Sequence, residues 1–344
     1  MSRSSKRYAT IYPVLLTLLI GAVLISIRYG AVKISIDEML SGTHNWFNNP
    51  TAMNLNERIF IEIRVPRAIL TVFVGASLAV GGVLMQAFFR NPIVEPGLIG
   101  TSSGAAFGAS FYFILGTSVN LPTGEWTLPI AAGLGGILAT TLVFGLAQSR
   151  HSRKSAVITL LLTGIAINAL FMSGVGFLSY IARDPQARSI TFWTLGTLSG
   201  ANWHAVGIVG ITTIGCLALA LRYTKHLNAL MIGEEEAQYL GSNIKRLRIT
   251  ILLINVTMVA VATAFTGVIS FIGLIVPHLL RIIRGSDNRF LVIGSALLGG
   301  LLLSLADITA RLLLEPAELP IGIVTSIIGL PLFIFLLRKN NNHF

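Results

Sequence analysis

The sequence predicts an all-α membrane protein: about ten transmembrane helices, several short or broken, with both termini cytoplasmic. Three observations carry this expectation. Hydrophobic residues make up 53% of the 344 positions and charged residues only 11%, with a mean hydropathy of +0.77, whereas soluble domains hold about 25% charged residues. Several apolar runs exceed the roughly 18 residues that cross a bilayer and are too long for barrel strands, so their backbone groups are best satisfied within helices. Most of the 25 Lys and Arg fall between alternate runs, the pattern that orients a membrane protein with its basic loops inside. The chain reads as a single transmembrane domain over 1–344, with a charged island at 230–249.

Several functions are excluded at this level. The formal charge of +11 would suit nucleic acid in a soluble chain, but its placement makes membrane lipid the partner. Cys216 is the one cysteine, and the six His are dispersed, so neither a disulfide nor a metal centre is expected. No GxxxxGK[ST] loop occurs, so the chain does not hydrolyse ATP by that chemistry. No cluster of acid, base or nucleophile stands out, and no catalytic residue is assigned.

The elements follow in order. Arg3, Lys6 and Arg7 precede an apolar run at 11–27, a retained first span with its N-terminus inside. Residues 32–62 are polar and read as an external loop with one short amphipathic helix, before a second span at 65–89. In RNPIVEPGLIGTSSGAA (90–106) two prolines and three glycines interrupt the chain at membrane depth. Such backbone is tolerated where protein or a cavity surrounds it, as beside transport pathways, though a plain turn is the alternative. Spans three and four occupy about 100–115 and 128–147, a basic run lies at 148–155, and span five covers 157–181 with Asn168 and Ser173 as packing residues. The stretch 182–193 is an external loop, and span six runs over 204–221.

The island IGEEEAQYLGSNIKRLRI (232–249) opens with Glu234, Glu235 and Glu236 and closes with Lys245, Arg246 and Arg248. Acid at the start and base at the end suit a short helix, because they oppose its terminal partial charges, and Gly241 is a stop signal. A solvated orienting loop is the alternative. Span seven covers 250–270, and FIGLIVPHLLRII (271–283) forms a short eighth helix. Span nine covers 291–313, and span ten, at 321–337, ends at Arg338 and Lys339. GLIG (97–100) and GLIV (273–276) follow long spans of opposite direction, consistent with an inverted repeat. Asp307 is the one expected intramembrane carboxylate, four residues before Arg311.

The stretch RVPRAILTVFVGASLAVGGVLMQAFFRNPIVEPGLIGTSSGA, with GEEEAQYLG, FIGLIVPHLLR and ADITARLLLEPAELPIGIVTSIIGLPLFIFLLR, resembles the permeases of binding-protein-dependent ABC importers for vitamin B12, ferric siderophores and heme. The resemblance covers nearly the whole chain. It implies a homodimer in the bacterial inner membrane, two ATPase subunits that bind ATP and Mg, an external or periplasmic substrate-binding protein, and no cofactor in this chain. By the same resemblance, Glu234, Glu235, Glu236, Ala237, Leu240 and Gly241 form the coupling contact with the ATPase. Asn91 and Ile93 narrow the path at its cytoplasmic end. Arg64, Arg67 and Arg311 dock the binding protein, with snorkelling of Arg64 and Arg67 and an Asp307 pair for Arg311 as alternatives.

Heme is the expected cargo, because EPGLIGTSSGAA and the external RDPQARSITFWTLGTLSGANW (183–203) resemble the heme-type branch, although B12 permeases share the first. Heme pairs an apolar macrocycle with two carboxylates at one edge, so its path needs apolar walls and a cation. Arg183 and Arg188, beside Phe192 and Trp193, supply both; a loop clamp between Arg183 and Asp184 is the competing reading. Ferric siderophore or cobalamin permeases and a stand-alone ion-coupled carrier are the alternatives.

Overall fold

The structure, a computed structural model, describes residues 3–30, 32–118, 124–147, 153–315 and 317–340, all helical or irregular. The helices are α1 (Arg3–Arg28), α2 (Ile36–Asn48), α3 (Leu55–Arg58), α4 (Val65–Phe89), α5 (Thr101–Ser118), α6 (Thr127–Ala147), α7 (Arg153–Ile181), α8 (Asp184–Thr194), α9 (Trp203–Ile232), α10 (Glu234–Tyr239), α11 (Ile244–Thr266), α12 (Ile272–Arg284), α13 (Asn288–Leu312) and α14 (Ile321–Asn340). Seven segments among the described residues are long and apolar enough to cross a bilayer. With α5, α12 and α14 the total reaches the ten expected. Part of the basic run, residues 148–152, lies outside the described residues, as does most of the turn 119–126.

Helix α4 is the centre of the bundle, packed by α13, α9, α11, α12 and α1. It is apolar all round, and almost every side chain along it is buried, as such a pattern requires. Close approach replaces large-residue packing at its contacts. A Cβ on Gly75 would lie 2.3 Å from the Gly299 carbonyl oxygen, and one on Gly82 would lie 1.8 Å from that of Gly273. In lipid, where burial between helices brings little hydrophobic gain, such backbone contact is a main source of cohesion.

Four boundaries differ from the sequence reading. The polar segment 32–62 holds two helices rather than one: α2 begins with a capping box in which Glu38 N–H donates to Ser35 Oγ at 3.2 Å and Ser35 N–H to Glu38 Oε2 at 2.7 Å, while α3 leads through a wide π turn (Ile59–Arg64) into α4. The expected external loop at 182–193 is helix α8, with Pro185 in its first turn, where a missing N–H costs nothing. Helix α9 continues eleven residues beyond the expected end, because Thr224, Leu227 and Leu230 keep one face buried and no breaker precedes Gly233. The cations Lys245, Arg246 and Arg248 do not close the short helix; Asn243 caps a new one, accepting from Arg246 N–H at 3.0 Å, so they occupy the first turns of α11.

The broken region after α4 folds inward. Pro96–Ile99 forms a tight 3-10 turn wedged against the entry of α12: Pro96 packs on Gly273, its carbonyl accepts from Asn255 Nδ2 at 3.2 Å, and Phe271 N–H donates to Glu95 Oε1 at 2.9 Å. Phe271 itself holds a left-handed conformation, φ 69°. Glu95 and Pro96, just before GLIG, therefore meet Phe271 and Gly273 at the start of GLIV. Pro277 leaves the Gly273 carbonyl without its helical donor, and Gln86 of α4 supplies one, its Nε2 donating to the Gly273 and Leu274 carbonyls at 3.3 Å each.

Candidate functional site

One face of the bundle carries α10. Gly233 interrupts the chain after α9, and the six residues Glu234–Tyr239 make little more than one turn. Gly241 follows with φ +81°, a conformation that favours glycine, and its N–H donates to the Gln238 carbonyl at 2.9 Å. The motif divides into two sets. Ala237 is fully buried and half-buried Glu234 turns inward, its Oε1 accepting from Arg248 Nη2 at 2.5 Å and lying 3.6 Å from Arg90 Nη2. Glu235, Glu236 and Gly241 face solvent, with Leu240 at 68% exposure. Tyr239, which the sequence reading left out, is 89% exposed; its apolar ring between charged neighbours was the available signal.

Arg90 also connects this knob to the expected gate. It ends α4 in a left-handed conformation, φ 51°, and turns the chain into Asn91, Pro92 and Ile93. Asn91 Oδ1 accepts from Ile93 N–H at 2.9 Å, a side-chain-closed turn that leaves Ile93 half exposed. Knob and gate loop are therefore joined through Glu234 and Arg90 on the same face.

On the opposite face, Arg64, Arg67 and Arg311 are only 6–8% exposed. Arg64 donates to the carbonyls of Ile27 (3.2 Å), Arg28 (2.7 Å) and Val32. Arg311 holds Tyr29 O and Ser26 O at 3.1 Å, Ser26 Oγ at 2.7 Å, and pairs with Asp307 at 3.0 Å. Arg67 donates from Nε and Nη2 to Asp307 Oδ1 at 3.1 and 2.9 Å, and from Nη1 to both oxygens of Glu318 at 2.9 Å. None of the three snorkels freely; together they tie α1, α4 and α13. Asp307, at 0% exposure, is the shared anion, and Glu318, which the sequence reading did not single out, is the one partly exposed carboxylate of the cluster.

Arg188 and Phe192 on α8 line two cavities beside this cluster. One, of about 330 Å³, also holds Arg67 and Glu318; the other, of about 710 Å³, holds Asp184, Ser189 and Ser199. The Arg188 guanidinium sits 5.5 Å from the Phe192 ring centre, within cation–π reach. Trp193 is turned inward to a small core with Ala105, Ala109 and Ile190 and walls neither cavity. Arg183 is exposed at the start of α8, and no ion pair joins it to Asp184 among the described residues.

Glu95, partly exposed, is a second carboxylate within the bundle, and it walls an open cavity of about 230 Å³ with Ser102, Ser103, Asn168 and Ser270. The sequence placed 90–106 at membrane depth, but only the fold brings Glu95 to the Phe271 N–H and to this cavity.

A ten-span bundle whose irregular loops fold inside protein, with a charged knob on one face, defines a polytopic membrane permease. The FecCD transport family model matches residues 18–339, and the chain belongs to that family. It is 38% identical over 325 residues to the hemin transport system permease protein HmuU of Yersinia pestis, covering 94% of each chain. It is 40% identical over 284 residues to the vitamin B12 import system permease protein BtuC of Yersinia enterocolitica, covering 82% of each. A solved metal-chelate type ABC transporter in an inward-facing conformation superimposes with a TM-score of 0.83 at 31% identity, covering 96% of this chain and 99% of that one. The protein is thus a permease subunit of an ABC importer.

Proposed function

We propose that this permease carries heme across the bacterial inner membrane as a homodimer, with two ATPase subunits on the α10 face and a substrate-binding protein on the face of Arg67 and Glu318. The observation that carries the cargo assignment is Arg188 over Phe192 at the wall of both outer cavities, an apolar surface beside a cation that suits a flat macrocycle edged by carboxylates. Similarity to a hemin permease over 94% of the chain supports it.

Force enters at α10. Glu235, Glu236, Tyr239 and Leu240 offer the ATPase a charged and aromatic knob, while Glu234 and Ala237 hold the knob to α11 and α9. Closure of the ATPase pair favours whichever permease state gives the better knob contact, and the Glu234–Arg90 link passes that preference to Asn91 and Ile93. At the outer rim, a carboxylate of the binding protein exchanges with Glu318 on Arg67.

The test is ATP-dependent uptake into proteoliposomes carrying the whole complex, offered heme, cobalamin and a ferric siderophore separately. Heme uptake that falls on Arg188→Ala, with little uptake of the other two, is expected. Efficient cobalamin or siderophore uptake without heme rejects the cargo.

A further inference from the structure

Helix α2 turns its polar side toward the protein. Ser41 Oγ donates to Glu57 Oε1, Asn45 Nδ2 donates to the two Glu57 oxygens at 3.3 and 3.2 Å, and Asn56 Nδ2 donates to Glu38 Oε1 at 2.7 Å. Gly42 lets the helix lie close on Glu57, since an added Cβ would sit 3.3 Å from Glu57 Cβ. The outward side carries Ile36, Leu40 and Phe47, which are 56%, 65% and 83% exposed. Their spacing of four and seven residues places them in one stripe. A helix that meets water turns its apolar side the other way, so this stripe has a covering other than water.

The surroundings of α2 show what that covering is. Trp203 opens α9, and its Nε1 donates to the Ile61 carbonyl in the π turn at 3.1 Å. Helix α2 rests on α3 and on that same turn, so it stands level with the outer end of a span, where tryptophan marks the membrane boundary. The lipid-facing surface also leads to it. Helix α1 is the least buried of the seven apolar segments; its exposed Leu18, Leu24 and Ile25 are followed by exposed Tyr29 and Val32, and then by Ile36. From this geometry we infer that α2 is an interfacial helix, with Ile36, Leu40 and Phe47 sunk into the acyl boundary of the outer leaflet. The helix holds Asp37 and Glu38 but no Lys or Arg, so its attachment comes from apolar burial and not from attraction to anionic headgroups. Through the π turn, which ends at Arg64, the anchor holds the outer end of α4 at the membrane boundary.

The test uses the full-length permease carrying Cys216→Ser and one nitroxide label at a time, at Leu40→Cys, Phe47→Cys or Asn48→Cys. Exposed Asn48 lies about 100° round the helix from Phe47. Each labelled protein is reconstituted in phosphatidylcholine and, separately, in phosphatidylglycerol vesicles. Collision rates are compared for oxygen, which partitions into lipid, and for a water-soluble nickel complex. The expected oxygen-to-nickel ratio is several-fold higher at positions 40 and 47 than at 48, and equal in the two lipids. A ratio no higher than at position 48, or one raised in phosphatidylglycerol alone, overturns the inference. Protection from nickel that arises only when the substrate-binding protein is added assigns the stripe to that protein and overturns it as well. So does spin–spin broadening that disappears on dilution with unlabelled permease, which would assign the stripe to a second copy. Should one labelled variant at position 40 or 47 fail to fold, the other decides.

Discussion

At the scale of single residues, Asp307 governs the outer face because one fully buried carboxylate faces two buried guanidinium groups. Asp307→Asn leaves Arg311 without an anion and Arg67 with Glu318 alone, and is expected to destabilise the folded permease by about 3 kcal/mol, read as a lower unfolding midpoint in detergent. Glu318→Gln, at the partly exposed end of the cluster, is expected to cost no more than about 1 kcal/mol. The docking role proposed for Arg67 separates from this structural one by charge reversal. Arg67→Glu should lower binding-protein affinity, and a matched reversal on that partner should restore part of it; a loss of stability with unchanged affinity in the folded fraction would assign Arg67 to packing alone.

Among elements, α10 is the most informative, since its inward and outward residues fail differently. Glu235→Lys with Glu236→Lys should weaken ATPase docking and uptake while leaving the permease folded, because both side chains face solvent. Glu234→Gln should instead loosen α10 itself by releasing Arg248 and Arg90, leaving ATPase binding in place but uncoupling hydrolysis from uptake. The two outcomes are read by co-purification and by the ratio of phosphate released to cargo moved. Gly241→Ala meets the strain of φ +81° and is expected to cost about 1 kcal/mol, seen as faster proteolysis of the loop. On α12, Gln86→Leu removes the donor that serves the carbonyl freed by Pro277 and should destabilise by about 1–3 kcal/mol.

For the whole molecule, the two faces are joined by α4, whose outer end carries Arg67 and whose inner end carries Arg90. Its backbone contacts at Gly75 and Gly82 leave no room for a side chain, so α4 moves with α12 and α13 or not at all. Gly82→Leu, which requires α4 and α12 to separate, is expected to abolish assembly of a folded permease, seen as an aggregated peak in size-exclusion chromatography.

Length and hydropathy were enough to establish the all-helical membrane class and a count of about ten helices, because crossing lipid demands long apolar helices and punishes stray charge, whereas the charged island at 232–249 stayed open between a short helix and a solvated loop. Gly241 was legible as a stop, and Asp307 with Arg311 as a pair, since both depend on neighbours within a turn. What depends on distant partners was not legible. Glu95 gave no sign that it would face Phe271, nor Glu318 that it would hold Arg67. The extension of α9 and the transfer of Lys245, Arg246 and Arg248 to α11 were likewise decided by burial and by the Asn243 cap. The inward face of Trp193 arises only when helices far apart in sequence close around it. In lipid the apolar pattern says that a helix is inside the membrane but not which side meets protein, and only packing resolves that.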